Sequence, residues 1–121
     1  MDAAPWTILT YETKSGKKPV DLFIKKQQPQ ARSKIIHNVR LLQEYGNMLG
    51  MPHSKMLGKG LYELRIRGKE ELRIFYFFKK RVIYLLHAFK KQKQQTPQKE
   101  IELALLRMKE LTPIKSGLTL L

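Results

Sequence analysis

The sequence predicts an α+β domain with helices packed on one face of an antiparallel sheet, in the order β–αα–βββ–α. Three observations predict it. Three runs rich in β-branched and aromatic residues lie close together between Leu61 and Phe89, parted only by short polar breaks. Segments before and after them carry apolar residues at three- to four-residue spacing. The 121 residues suit one compact unit, read as a single domain over 1–121.

Trp6 to Thr13, WTILTYET, reads as a short first strand. Lys14–Lys18 is a turn, and Pro19 opens a helix as its first residue, with Val20, Phe23 and Ile24 on one side. Pro29 interrupts this segment, which predicts two helices or a kink. The second piece runs from about Gln30 to Tyr45, with Ala31, Ile35, Val39 and Leu42 as its core stripe. Gly46 stops it. Asn47–Gly60 reads as a loop. The strands Leu61–Arg67, Leu72–Phe78 and Val82–Phe89 follow, broken at 68–70 and 79–81. Loops this short imply consecutive hairpins. Lys90–Thr96 is a basic connector, and Thr96 with Pro97 starts the last helix. Glu100 and Glu102 sit favourably near its start; Ile101, Leu105, Met108 and Leu111 continue the stripe. Pro113 ends it, leaving the short apolar tail Ile114–Leu121.

The net charge of +14 repels itself and calls for a polyanion or an acidic partner. From Lys55 to Lys93, twelve Lys/Arg face three acids, so this window holds +9 of the +14. The sheet itself therefore carries the charge, which favours a phosphate-binding surface over a basic tail. With no cysteine, disulfides, thiolate metal sites and cysteine nucleophiles are excluded. The N-terminal stretch lacks a basic segment followed by an apolar run, so a cytoplasmic chain without a signal peptide is expected. No membrane association is expected, since no apolar run nears a spanning length. His37, His53 and His87 lack ligand spacing, and no Walker loop or serine elbow is present. No metal and no cofactor are expected.

With three-residue hairpin loops, Arg67 faces Glu71, Arg65 faces Arg73, Phe78 faces Val82 and Arg73 faces His87. Arg65, Arg73 and His87 then form one row across three strands. Alternation puts Tyr62, Leu64, Ile66, Leu72, Ile74, Tyr76, Val82, Tyr84, Leu86 and Ala88 on the core face. Glu63, Arg65, Arg67, Arg73 and His87 fall on the other, left free for function, with Phe75, Phe77, Ile83, Leu85 and Phe89 beside them. Arg73 lies inside LRIFYFF, where an unpaired guanidinium is very costly. Two readings stand: a bidentate phosphate ligand, or an internal salt bridge, most plausibly with Glu63. Arg65 reads as a phosphate contact or a solvated edge. His87 reads as a proton-transfer group or a satisfied core residue. Glu63 is a candidate general base. Lys90, Lys91 and Lys93 are solvated charges or phosphate contacts. Such a set suits metal-free cleavage of RNA, in which the 2′-hydroxyl is the internal nucleophile.

LYELRIRG, LRIFYFF and IYLLHAFKKQKQQTPQKEIELALLRMKE, in this order, resemble the phage-derived HigB-like branch of the RelE toxin superfamily. The resemblance covers most of the chain and is strongest from Leu57 to Glu110. It implies the RelE-like sandwich and a toxin of a type II toxin–antitoxin pair. The implied activity is a ribosome-dependent mRNA endonuclease, or mRNA interferase, that inhibits translation and leaves a 2′,3′-cyclic phosphate without metal. The implied partners are mRNA, the ribosome and a cognate antitoxin of helix-turn-helix type, with operator DNA bound only through the antitoxin complex. It maps phosphate-binding arginines onto Arg65 and Arg73, and basic residues at the last strand's end onto Lys90, Lys91 and Lys93. No tyrosine or histidine follows the last strand as the acid of some members. Either His87 fills that role, or charge and positioning alone carry the chemistry. Two other readings remain: a non-catalytic RNA- or ribosome-binding module, with Arg67 among its RNA contacts, and a protein that acts only through a protein complex.

Overall fold

The computed structural model describes residues 5–112; Pro113 and the apolar tail lie outside the described residues. The elements are β1 (Thr7–Thr10), α1 (Pro19–Lys25), α2 (Pro29–Tyr45), β2 (Ser54–Gly58), β3 (Leu61–Ile66), β4 (Glu71–Lys79), β5 (Val82–Lys91) and α3 (Gln98–Leu111). The five strands form one sheet in the order β1-β5-β4-β3-β2. All neighbours are antiparallel except β1, which lies parallel to β5 on the edge. The α+β sandwich expected from the sequence is the fold observed. No described helix is long and apolar enough to cross a membrane.

Pro19 and Pro29 each occupy the first turn of a helix, where a missing N–H costs nothing. Pro29 therefore divides α1 from α2 rather than kinking one helix. Gly46 ends α2 at φ 52°, beneath Trp6. The Trp6 amide donates to the Gln43 carbonyl, and the Gln43 side chain donates to the Trp6 carbonyl, so the start of β1 is pinned to the end of α2. On this side Val20, Ile35 and Leu42 meet Leu64, Ile66, Leu72, Ile74, Tyr76, Ile83 and Leu85 in the larger core.

Five expectations need correction. The expected loop 47–60 contains the edge strand β2, which pairs with β3 through a turn at Lys59 and Gly60, both at positive φ. The β4–β5 hairpin has a two-residue turn, so Lys79, not Phe78, faces Val82. A bulge at Leu86 then moves the register again, and Arg73 faces Phe89 while Phe75 faces His87. The Arg65–Arg73–His87 row does not form. The two-residue turn exchanges the faces of the first half of β5, so Ile83 and Leu85 join the α1–α2 core while Tyr84 packs under α3; the bulge restores the expected faces beyond it, with Ala88 in the core and Phe89 under α3. Finally, the second face is not wholly free. Ala104 of α3 is buried on it against Leu61, Phe75, Phe77, Leu86 and Phe89.

Several polar contacts hold α3 in place. Arg107 donates to the Leu86 carbonyl at 2.8 Å, satisfying an acceptor at the bulge. Lys79 donates to the Leu111 carbonyl, and the Tyr11 hydroxyl donates to Glu110.

Candidate functional site

The antiparallel register of β3 and β4 sets Arg65 directly opposite Arg73, as expected from the hairpin. Two guanidiniums side by side repel each other, and two carboxylates from the same strands offset this. Glu63 is 2% exposed and Arg73 is 3% exposed. Arg65 Nε donates to Glu63 Oε1 at 3.2 Å, and Arg73 Nε lies 3.3 Å from Glu63 Oε2. Arg73 Nε is not aligned for a hydrogen bond, so this second contact is ionic. Arg73 Nη1 donates to Glu71 Oε1 at 2.9 Å, and also to the Leu72 carbonyl. Arg67 Nη1 approaches the other oxygen of Glu71 at 3.7 Å. Three arginines and two carboxylates thus form one chain of charge, from the buried Glu63 to the exposed Arg67. The Arg73 guanidinium holds the Glu71 carboxyl below the usual carboxylate range. Each oxygen of Glu63 thus lies within ion-pair distance of one arginine.

His87 lies one row away, opposite Phe75 and stacked on Phe89 with ring centroids 5.4 Å apart. Its Nε2 is 2.6 Å from Glu100 Oε1 at the start of α3. Burial pushes its pKa below the ordinary histidine value, and the Glu100 carboxylate only partly opposes this. A neutral ring donating Nε2–H to the carboxylate leaves Nδ1 as the basic nitrogen. Among the described residues, no hydrogen bond or ion pair joins His87 to Arg73.

The lysines occupy the end of the sheet. Lys90 faces Leu72 and bonds Glu70 at 2.6 Å, while Lys91 faces Glu71 and donates to the Gln94 carbonyl. Lys93 is exposed in the connector beyond β5. Among the described residues, no three His, Asp or Glu side chains are grouped to hold a metal.

The structure brings together Glu63, Arg65, Arg73 and Arg67, and keeps His87 apart. Sequence reasoning missed Glu71 as the second partner of Arg73, although alternation places residues 71 and 73 on one face. It also missed Glu100 as the partner of His87, because that contact exists only once α3 docks.

No curated protein matches the chain at a significant level. The model of the family described as phage-derived protein Gp49-like matches residues 22–109, which spans every element from within α1 through most of α3. The chain therefore belongs to the phage-derived Gp49-like family, a toxin-like family associated with toxin–antitoxin systems.

Proposed function

We propose that the protein is the toxin of a type II toxin–antitoxin pair and cleaves mRNA on the ribosome through the RNA 2′-hydroxyl. One observation carries this reading: two arginines stand opposite each other on neighbouring strands, anchored by one buried carboxylate. Such a pair presents guanidinium donors in fixed positions, which suits a phosphate oxygen and the charge that develops on it during attack.

In this mechanism Glu63 is a positioning residue that holds Arg65 and Arg73 at a set separation. Glu71 is more exposed than Glu63, and its carboxylate occupies the Nη1 edge of Arg73 in the free protein. An RNA phosphate takes that edge, and Glu71 remains with Arg67. The 2′-oxygen attacks the adjacent phosphorus as the bond to the 5′-oxygen breaks, and the leaving 5′-oxygen takes its proton from water. The products are a 2′,3′-cyclic phosphate and a 5′-hydroxyl. His87 accepts the 2′-proton through Nδ1, either directly or through water, with Glu100 stabilising the resulting imidazolium. Lys90, Lys91, Lys93 and Arg67 bind flanking phosphates. Family membership supports a cognate antitoxin as the silencing partner; a helix-turn-helix antitoxin that carries the pair to its operator belongs to the same proposal.

The products test the chemistry. RNA fragments from the reaction should carry 3′ ends that resist adapter ligation until a cyclic phosphate is opened and removed. Fragments with free 3′-hydroxyls would exclude attack by the 2′-oxygen. A second reading, a non-catalytic RNA- or ribosome-binding module, is favoured by the internal pairing of Arg73 with Glu63 and Glu71. Tight binding with no new RNA ends would select it.

A further inference from the structure

A cleft of about 880 Å³ lies between the α1–α2 joint and the β3–β4 turn, away from the buried Glu63–Arg73 pair. This is within the usual size of a small-ligand site. Its apolar lining is Pro29 and Ala31, with the buried Ile66 and Leu72 behind them. Its walls carry the cations Lys34, Arg67 and Lys69. Glu70 also lines it, but its carboxylate is bound by Lys90 at 2.6 Å. Lys34 and Lys69 have no acidic partner among the described residues. Arg67 is 58% exposed, and its one carboxylate contact is long, at 3.7 Å. Gln28 and Gln30 also line the cleft, and their side-chain amides make no hydrogen bond among the described residues.

We propose that this cleft is a second RNA site, holding one unstacked nucleotide of single-stranded RNA with its flanking phosphates on Lys34, Lys69 and Arg67. The apolar surface of Pro29 and Ala31 takes a base or ribose face. The free amides can pair with a base edge, the part of a nucleotide that single-strand readers use. Three cations with little internal neutralisation match phosphates on either side. Continuity favours RNA over an acidic protein. Arg67 lines the cleft and also touches Glu71, which bonds Arg73, so the cleft and the sheet site share one charged edge. The inference rests on the RNA-binding part of the proposed function, not on cleavage.

The Lys34 ammonium lies close over Gly68, where an added Cβ would come within 2.8 Å of Nζ. Gly68→Ala therefore displaces Lys34 without changing any charge. Binding should be measured on a short unstructured 2′-O-methyl RNA, which cannot be cut through its 2′-oxygen, over a range of salt. Each phosphate contact to a single strand contributes about 0.7 to the slope of log K against log salt. Lys34→Gln/Lys69→Gln should make the slope shallower by about 1.4, from two such contacts. The control pair Lys14→Gln/Lys17→Gln, in the exposed turn before α1, removes the same charge and should leave the slope unchanged. Gly68→Ala should cost about half as much as the cleft pair, roughly 0.7. Equal losses in both lysine pairs would mean bulk charge alone and overturn the site. An unchanged slope in the cleft pair, with binding of an acidic partner lost instead, would overturn it in favour of a protein surface. If the wild type cuts no RNA, the nuclease reading fails while the slopes still decide the cleft.

Discussion

A guanidinium in the middle of an apolar strand must find anions or lose several kcal/mol of stability, and Arg73 finds two. Removing it leaves Glu63 buried with Arg65 as its one remaining partner. Arg73→Ala should therefore destabilise the fold by about 3 kcal/mol, seen as a lower urea midpoint. Arg73→Lys keeps the charge but not the fork, so it should fold nearly as well and still fail to cleave. Full activity in Arg73→Lys would show that bidentate contact is not needed. His87 sets a pH dependence of stability. Its folded pKa lies below the ordinary value near 6.5, so its contribution is present above that pH and is lost as pH falls through the folded value. Stability should fall on acidification from neutral pH, and His87→Gln should remove that part of the fall in urea titrations at several pH values. That Arg73 needs an anion was legible in the sequence, because charge inside LRIFYFF has few solutions, and Glu63 was one of the two partners it left open. The Glu100 contact of His87 was not, because it depends on a helix that arrives from elsewhere in the chain.

At the scale of elements, helices were read more surely than strand registers. The prolines at 19 and 29 and the glycine at 46 mark helix ends for local reasons, and the structure keeps them. Hairpin register instead depends on single residues in turns. Lys59 and Lys80 adopt positive φ, which lysine seldom does, so neither two-residue turn carried the usual asparagine or glycine signal at that position. The edge strand β2 is mostly exposed and ends in glycine, so its composition resembles a loop. The bulge at Leu86 has no local signal at all; Arg107 of α3 satisfies its carbonyl from outside the strand. Gly46 offers the clearest test at this scale. A Cβ there would meet the Trp6 indole at 2.0 Å on a backbone already at φ 52°. Gly46→Ala should destabilise by about 1–3 kcal/mol, measured by chemical denaturation, through forced displacement of Trp6. A neutral result would mean that the β1–α2 junction repacks freely.

At the scale of the whole molecule, the sheet has one face under α1 and α2 and the other partly under α3. The charged chain Arg65–Glu63–Arg73–Glu71–Arg67 runs outward on the α3 face to the strand ends, where Lys90 and Lys91 lie. A net charge of +14 gathered mainly between residues 55 and 93 thus becomes a surface, because the hairpins fold that window back on itself. That much was legible from charge placement and alternation alone. How much of the face α3 covers was not, since helix docking depends on side chains of both partners. We propose that this surface directs RNA cleavage on the ribosome. The most direct test adds the purified protein to a bacterial cell-free translation reaction and maps mRNA 5′ ends, beside Arg73→Lys and a ribosome-free control. New ends that require ribosomes and vanish in Arg73→Lys are the predicted result. An unchanged pattern of ends, with a folded protein bound to ribosomes, would contradict it.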